Sequence, residues 1–278
     1  MTYRSLVVRP AVLRTAALLA GCAALLANSG CASSQRPVWG AQVSTAGALS
    51  RFRESIVDAA VNPRVWVPLT GAAVLQVNNW DRKVSDWART NTPVFGSQPN
   101  AARWSDDLRS VSTWSYIATA VATPGADQPA YWFQAKAQGL AVGFTAIAAS
   151  NAATAVLKQT TDRRRPNGAD TESFPSGHAS HSSVTTALAR YNLSTMEMNE
   201  VTRQTLGIGL DVVTAGTAWA RVEAGAHYPS DALVGIAIGS FFSDVLNQTF
   251  LEPEAAHHQA LAIVPLKNGA AINWSVAF

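Results

Sequence analysis

From residue 51 to residue 250 the chain repeats one local pattern: apolar residues three and four positions apart, in the stretches 51–61, 65–79, 80–90, 101–122, 136–158, 177–191, 197–222 and 230–250. That spacing lines side chains up on one face of a helix with about 3.6 residues per turn. Asn62-Pro63, Thr92-Pro93, Pro124-Gly125 and Arg165-Pro166 interrupt it, each a pair that ends a helix or opens the next. Helices with one apolar stripe each bury it best against one another, so the expected fold is all-α, a helical bundle.

Charge and length decide whether such helices sit inside a protein or inside a bilayer. Charged residues make up 14% of the chain, against roughly 25% in an ordinary soluble domain, and apolar ones 48%. So little charge excludes a disordered polymer and points to a helix-rich protein at or near a membrane. The longest uncharged run, 137–157, has 21 residues and could span a bilayer. It carries Gln138, Thr145, Ser150, Asn151 and Thr154, however, and Asp244 cuts the apolar part of 230–250. These stretches read as buried helices of a compact bundle rather than lipid-facing spans.

The two ends of the chain differ from this middle. Residues 1–31 read as a signal peptide of lipoprotein type: Arg4, Arg9 and Arg14, an apolar run over 15–27, then small residues. The 13 residues of that run fall short of the ~20 that a permanent spanning helix needs. Leu19-Ala20-Gly21-Cys22 resembles a lipobox and Asn28-Ser29-Gly30-Cys31 offers a second cysteine, so lipidation is expected at Cys22 or Cys31. The expected location is the periplasmic side of a bacterial cell envelope, with membrane association through an N-terminal lipid anchor. These being the only two cysteines, the rest of the chain holds neither a disulfide framework nor a cysteine zinc site.

Residues 32–50, small and polar, read as a tether, 51–256 as the helical catalytic domain and 257–278 as a C-terminal β-hairpin. In the hairpin Ile272, Trp274, Val276 and Phe278 alternate, and Lys267-Asn268-Gly269 supplies an Asn-Gly turn. Without the leader, 18 basic residues face 18 acidic ones. That lacks the surplus of Lys and Arg a polyphosphate backbone demands, so no nucleic-acid partner is expected.

Three clusters carry chemistry. Lys158 and Arg165-Pro166 flank the turn after one helix, so both cationic heads can reach one anion. Arginine presents a planar fork suited to phosphate oxygens, and lysine a compact charge. Pro175-Ser176-Gly177-His178 opens the next helix, where unpaired N–H groups and the helix dipole favour an anion and glycine permits close approach. Arg221, His227 and Asp231 form the third cluster. Asp231 follows His227 by four residues, close enough to hold one ring nitrogen and leave the other free to attack. By residue usage of ~5%, all three patterns in order arise by chance about once in a million sequences.

At these residues the chain resembles the type 2 phosphatidic acid phosphatase (PAP2) superfamily, whose pattern is K-x6-RP, PSGH and SR-x5-H-x3-D. Class A bacterial acid phosphatases and vanadium haloperoxidases share this site. The resemblance covers about residues 130–250 and implies a bundle of the PAP2/vanadium haloperoxidase type. It implies a phosphatase, acting on a phosphomonoester or pyrophosphate, with lipid phosphates among the candidate substrates. His227 would be the nucleophile, forming a phosphohistidine, with Asp231 orienting it and His178 protonating the leaving oxygen. Lys158, Arg165, Arg221 and the backbone at Ser176 and Gly177 would hold the phosphate oxygens. The family needs no metal or cofactor; vanadate enters as an inhibitor, or as the cofactor of a haloperoxidase. A phosphotransferase or a non-catalytic phosphate-binding relative would use the same pocket. Ala220 stands where the pattern has Ser, and only eight residues, 167–174, separate Pro166 from Pro175.

Other residues have plainer readings. Arg163 and Arg164 beside Arg165 read as a solvated loop. His181 reads as a helix-surface or supporting residue, and His257 and His258 as solvated. The loop 92–97 is either a cover for the site or a connector, and Trp80, Trp87, Trp104 and Trp114 fit helix packing, with a lipid-binding aromatic belt as the second reading.

Overall fold

The computed structural model describes residues 38–41, 43, 47–251, 259–266 and 269–276. Among them are eight α-helices: α1 (Ala48–Val61), α2 (Pro63–Val74), α3 (Trp80–Asn91), α4 (Gln98–Ala122), α5 (Pro129–Thr161), α6 (Gly177–Ser194), α7 (Glu200–Glu223) and α8 (Pro229–Phe250). The signal peptide with Cys22 and Cys31, and His257 and His258, lie outside the described residues.

The helix starts follow from local chemistry. Asn62, Ser97, Ser176 and Asn199 each accept a backbone N–H of the first turn through the side chain, and Pro63, Pro129 and Pro229 stand in first turns where an N–H has no partner. The apolar spacing over 65–79 yields α2 and a short 3-10 turn, Val77–Asn79, rather than one continuous helix. Asn78 and Asn79 take left-handed backbone with φ of 53° and 56°, so the helical path breaks there and α3 starts afresh at Trp80.

Cross-helix contacts fix the directions. Gly235 meets Ser176 and Ser180, and Gly239 meets Ser180, Ser183 and Val184, so α6 and α8 run parallel. A Cβ at Gly239 would stand 2.3 Å from the Ser180 carbonyl oxygen; the two backbones touch because no side chain intervenes. Thr154 stands against Gly177 and Ser150 bonds Ser180, so α5 is antiparallel to α6. Thr214 bonds Thr186 and Thr217 bonds Ser182, so α7 is antiparallel as well. Asp106, Thr113 and Thr119 bond His178, His181 and Asn192 in ascending order, so α4 is parallel. One end of the bundle therefore gathers the N-termini of α4, α6 and α8 with the C-termini of α5 and α7.

The apolar core lies deeper along the same helices, around Tyr116, Val184, Leu188, Leu193 and Val245. Both α5 and α8 are long and apolar enough to cross a membrane; 67% of the most apolar window of α8 is buried in the bundle, and 33% of that of α5.

Two expectations need correction. Part of the 32–50 tether is packed: Trp39 is 6% exposed in the core, with the buried Lys136 ammonium 5.3 Å from its ring centre. A large aromatic side chain gains more by burial than its small polar neighbours lose by ordering. Conversely, Trp80, Trp87, Trp104 and Trp114 are between 38% and 59% exposed. Strands β1 (Gln259–Leu266) and β2 (Gly269–Val276) pair antiparallel, with Gln259 opposite Val276 and Leu266 opposite Gly269. Lys267 and Asn268 of the expected turn lie outside the described residues.

Candidate active site

At the shared helix end, His227 is 2% exposed, just ahead of α8. Its Nδ1 lies 2.5 Å from the carbonyl oxygen of Ser173. A carbonyl can only accept, so Nδ1 carries the proton and Nε2 keeps its lone pair. Burial, then the charges of Arg221 and Arg165, hold this imidazole well below its usual range, against a smaller upward pull from the Ser173 bond. The ring is neutral over ordinary pH.

The cations come from three elements. Lys158, in the last turn of α5, donates to the Glu172 carbonyl. Burial and then Arg165 lower its pKa, with Glu172, Asp170 and Asp231 opposing. Arg165 donates from Nε to Asp170 at 2.5 Å and from a terminal nitrogen to the Ala226 carbonyl at 3.4 Å. Arg221, in the last turn of α7, donates to Ser105 Oγ at 3.3 Å, while its Nε is buried with no hydrogen-bond partner. All three depress the basicity of His227, so all three lie within electrostatic reach of one ring. His178, in the first turn of α6, shares a 2.7 Å hydrogen bond from Nε2 with Asp106 of α4. Burial and Arg221 lower its pKa while the Asp106 bond raises it. Among the described residues no three His, Cys, Asp or Glu side chains gather as metal ligands.

Two expected roles are not met as written. Asp231 does not bond His227: Oδ1 accepts from Arg163 at 2.5 Å, and Oδ2 accepts from Ser173 Oγ at 2.5 Å and from the Tyr228 N–H at 2.9 Å. The carboxylate faces back into the start of its own helix, and the Ser173 carbonyl takes its place at the ring. The backbone N–H of Ser176 donates to the Asp231 carbonyl at 2.9 Å, and Ser176 Oγ caps Ala179, so Ser176 shapes the helix start rather than offering that N–H to an anion. Gly177 and the His178 backbone follow in the first turn, where N–H groups have no intrahelical acceptor.

Several participants gave no local sequence signal. Asp106 and Ser105 precede His178 and Arg221 by 72 and 116 residues. Arg163, read as solvated, bridges Asp231 and Asp81 and lies 4.2 Å from the Tyr228 ring centre. The loop 92–97 is pinned down: the fully buried Glu223 accepts the Val94 and Phe95 N–H groups at 3.0 Å each and Trp219 Nε1 at 2.6 Å. His181 is half-buried and bonds Thr113 Oγ1 at 2.9 Å.

Comparison with solved structures finds similarity to a transmembrane PAP2-type phosphatidylglycerolphosphate phosphatase from Bacillus subtilis, 16% identical, covering 84% of this chain and 94% of that one, with a TM-score of 0.38. Comparison with curated proteins gives no match. Residues 139–252 match the family model of the PAP2 superfamily. The matched segment spans less than half of the chain and holds Lys158, Arg165, Ser176, Gly177, His178, Arg221, His227 and Asp231.

Proposed function

We propose that this protein is a metal-independent phosphatase of the cell envelope that hydrolyses a phosphomonoester or pyrophosphate, with a lipid as the favoured carrier of the phosphate. The observation that carries the reading is the neutral His227, with Nε2 left unprotonated, under the field of Lys158, Arg165 and Arg221. A phosphate among these cations has its charge balanced before reaction, and phosphoryl transfer depends mainly on such positioning and charge stabilisation.

In the proposed cycle the Nε2 lone pair of His227 attacks phosphorus, the bond to the leaving oxygen breaks, and His178 gives that oxygen a proton. Water then attacks the phosphohistidine, His178 takes a proton from it, and phosphate leaves with His227 restored. The lipid preference rests on the low charge of the chain and on apolar side chains left at the surface, such as Trp66, Val67 and Leu69 of α2. Membrane association is attributed to the N-terminal lipid anchor.

Purified full-length protein is expected to release phosphate from p-nitrophenyl phosphate without added metal, and His227→Ala to abolish the release. Turnover that survives in His227→Ala rejects the nucleophile. A panel of lipid and soluble phosphoesters then ranks the substrate classes.

A further inference from the structure

The bond missing between Asp231 and His227 leaves open what holds the ring, and the contacts answer with a chain reaching a helix outside the matched segment. Asp81, in the first turn of α3, is 3% exposed. Its Oδ2 accepts from Arg163 at 2.7 Å, and the other end of that guanidinium donates to Asp231 Oδ1 at 2.5 Å. Asp231 Oδ2 accepts the Ser173 hydroxyl, and the Ser173 carbonyl accepts the Nδ1 proton of His227. Asp81 also grips the start of α8 directly, accepting the Ser230 N–H at 2.8 Å and the Ser230 hydroxyl at 2.6 Å.

We propose that Asp81 is a positioning residue that sets the orientation of His227 through Arg163, Asp231 and Ser173. Arg163 suits the link because its planar fork serves two carboxylates at once, which a lysine head cannot do in fixed geometry. Ser173 suits it because one residue offers a hydroxyl to the carboxylate and a carbonyl to the imidazole. Removing the Asp81 charge frees one end of the guanidinium, so Arg163 turns about its remaining bonds to Asp231 and Ser230 and the Ser173 carbonyl loses its fixed direction. The proposal rests on His227 being the nucleophile, and it assigns Asp81 no contact with substrate.

The test compares Asp81→Asn, Asp81→Glu and Arg163→Lys in the purified full-length protein. With p-nitrophenyl phosphate, Asp81→Asn is expected to lower kcat about tenfold while KM and inhibition by orthovanadate stay within about twofold, as misplacement of a reacting group requires. Asp81→Glu restores part of the loss. A positioning role also shows without turnover: the Nδ1 proton resonance of His227, followed by NMR with labelled histidine, shifts in Asp81→Asn. Wild-type kcat with an unmoved resonance overturns the proposal, as does a variant that loses only thermal stability. Should Asp81→Asn fail to fold, Arg163→Lys reads the same link by the same two measurements. Failure of the phosphatase reading appears instead as wild-type protein without turnover, and the resonance then decides the Asp81 link alone.

Discussion

His178 and Asp106 meet at 2.7 Å although they stand 72 residues apart, on the first turn of α6 and the third turn of the parallel α4. The carboxylate props up the basicity of an imidazole that burial and Arg221 push down. For a general acid this balance sets the working pH. In the proposed cycle His178 must be protonated to serve the leaving group, whereas His227 is already neutral, so kcat/KM is expected to fall as pH rises through the lowered pKa of His178. Asp106→Asn removes the upward pull and should move this alkaline limb to lower pH. Superimposable profiles of wild type and variant would refute the assignment.

Stability should also follow the histidines. Burial, with Arg109 and His178, pushes His181 down to about 4, and His227 and His178 are lowered too. Below the ordinary imidazole pKa of about 6.5 the unfolded chain binds protons that the folded one refuses. The contribution of His181 is therefore fully present above pH ~6.5 and lost as pH falls towards 4. Urea midpoints should decline over that window, less steeply in His181→Gln. A midpoint independent of pH there contradicts the argument.

Glu223 stands two positions after Arg221 and binds the 92–97 loop by two N–H groups. Glu223→Ala leaves those donors and the Trp219 indole unpaired, and should cost about 3 kcal/mol in urea unfolding. Glu223→Gln keeps one acceptor oxygen and should cost about 1 kcal/mol. Equal stability of all three proteins would show the loop to be held by something else.

The α6–α8 contact gives a separable pair of variants. At Gly239 a Cβ meets the Ser180 carbonyl at 2.3 Å and the Val184 nitrogen at 2.7 Å, so Gly239→Ala should cost about 2 kcal/mol by overpacking. At Gly235 it meets the Ser176 carbonyl at 2.5 Å, directly behind Gly177 and His178. Gly235→Ala should therefore lose phosphate release out of proportion to stability. Full activity in Gly235→Ala at reduced stability would separate the helix contact from the chemistry.

Much of this architecture was legible in the chain because helix periodicity is local. The stretch 80–90 became Trp80–Asn91, and 230–250 became Pro229–Phe250. The candidate site residues stood out as spaced motifs for the same reason, since Lys158, His178, Arg221 and His227 each sit at or beside a helix end that their neighbours specify. Asp81, Asp106 and Ser173 were not, because each matters only through a partner on another element, and no spacing rule records a contact across 54 or more residues. Arg163 was misread for a related reason: three successive arginines look solvated until a buried carboxylate is found on either side of one. The role given to Asp231 failed on direction. Four residues is a suitable separation from His227, but the carboxylate turns towards its own helix start, where the Tyr228 N–H and Ser173 hydroxyl hold it.

The parallel course of α4 beside α6 bears on how far this protein can be dissected. Asp106 and Ser105 reach the catalytic end from ahead of residue 139, and Asp81 does so from α3. A fragment cut at the family boundary would retain both histidines and every motif cation, yet it would expose the flank of α6 and strip the companions of His178 and Arg221. The smallest portion worth grafting into another scaffold begins upstream of α3.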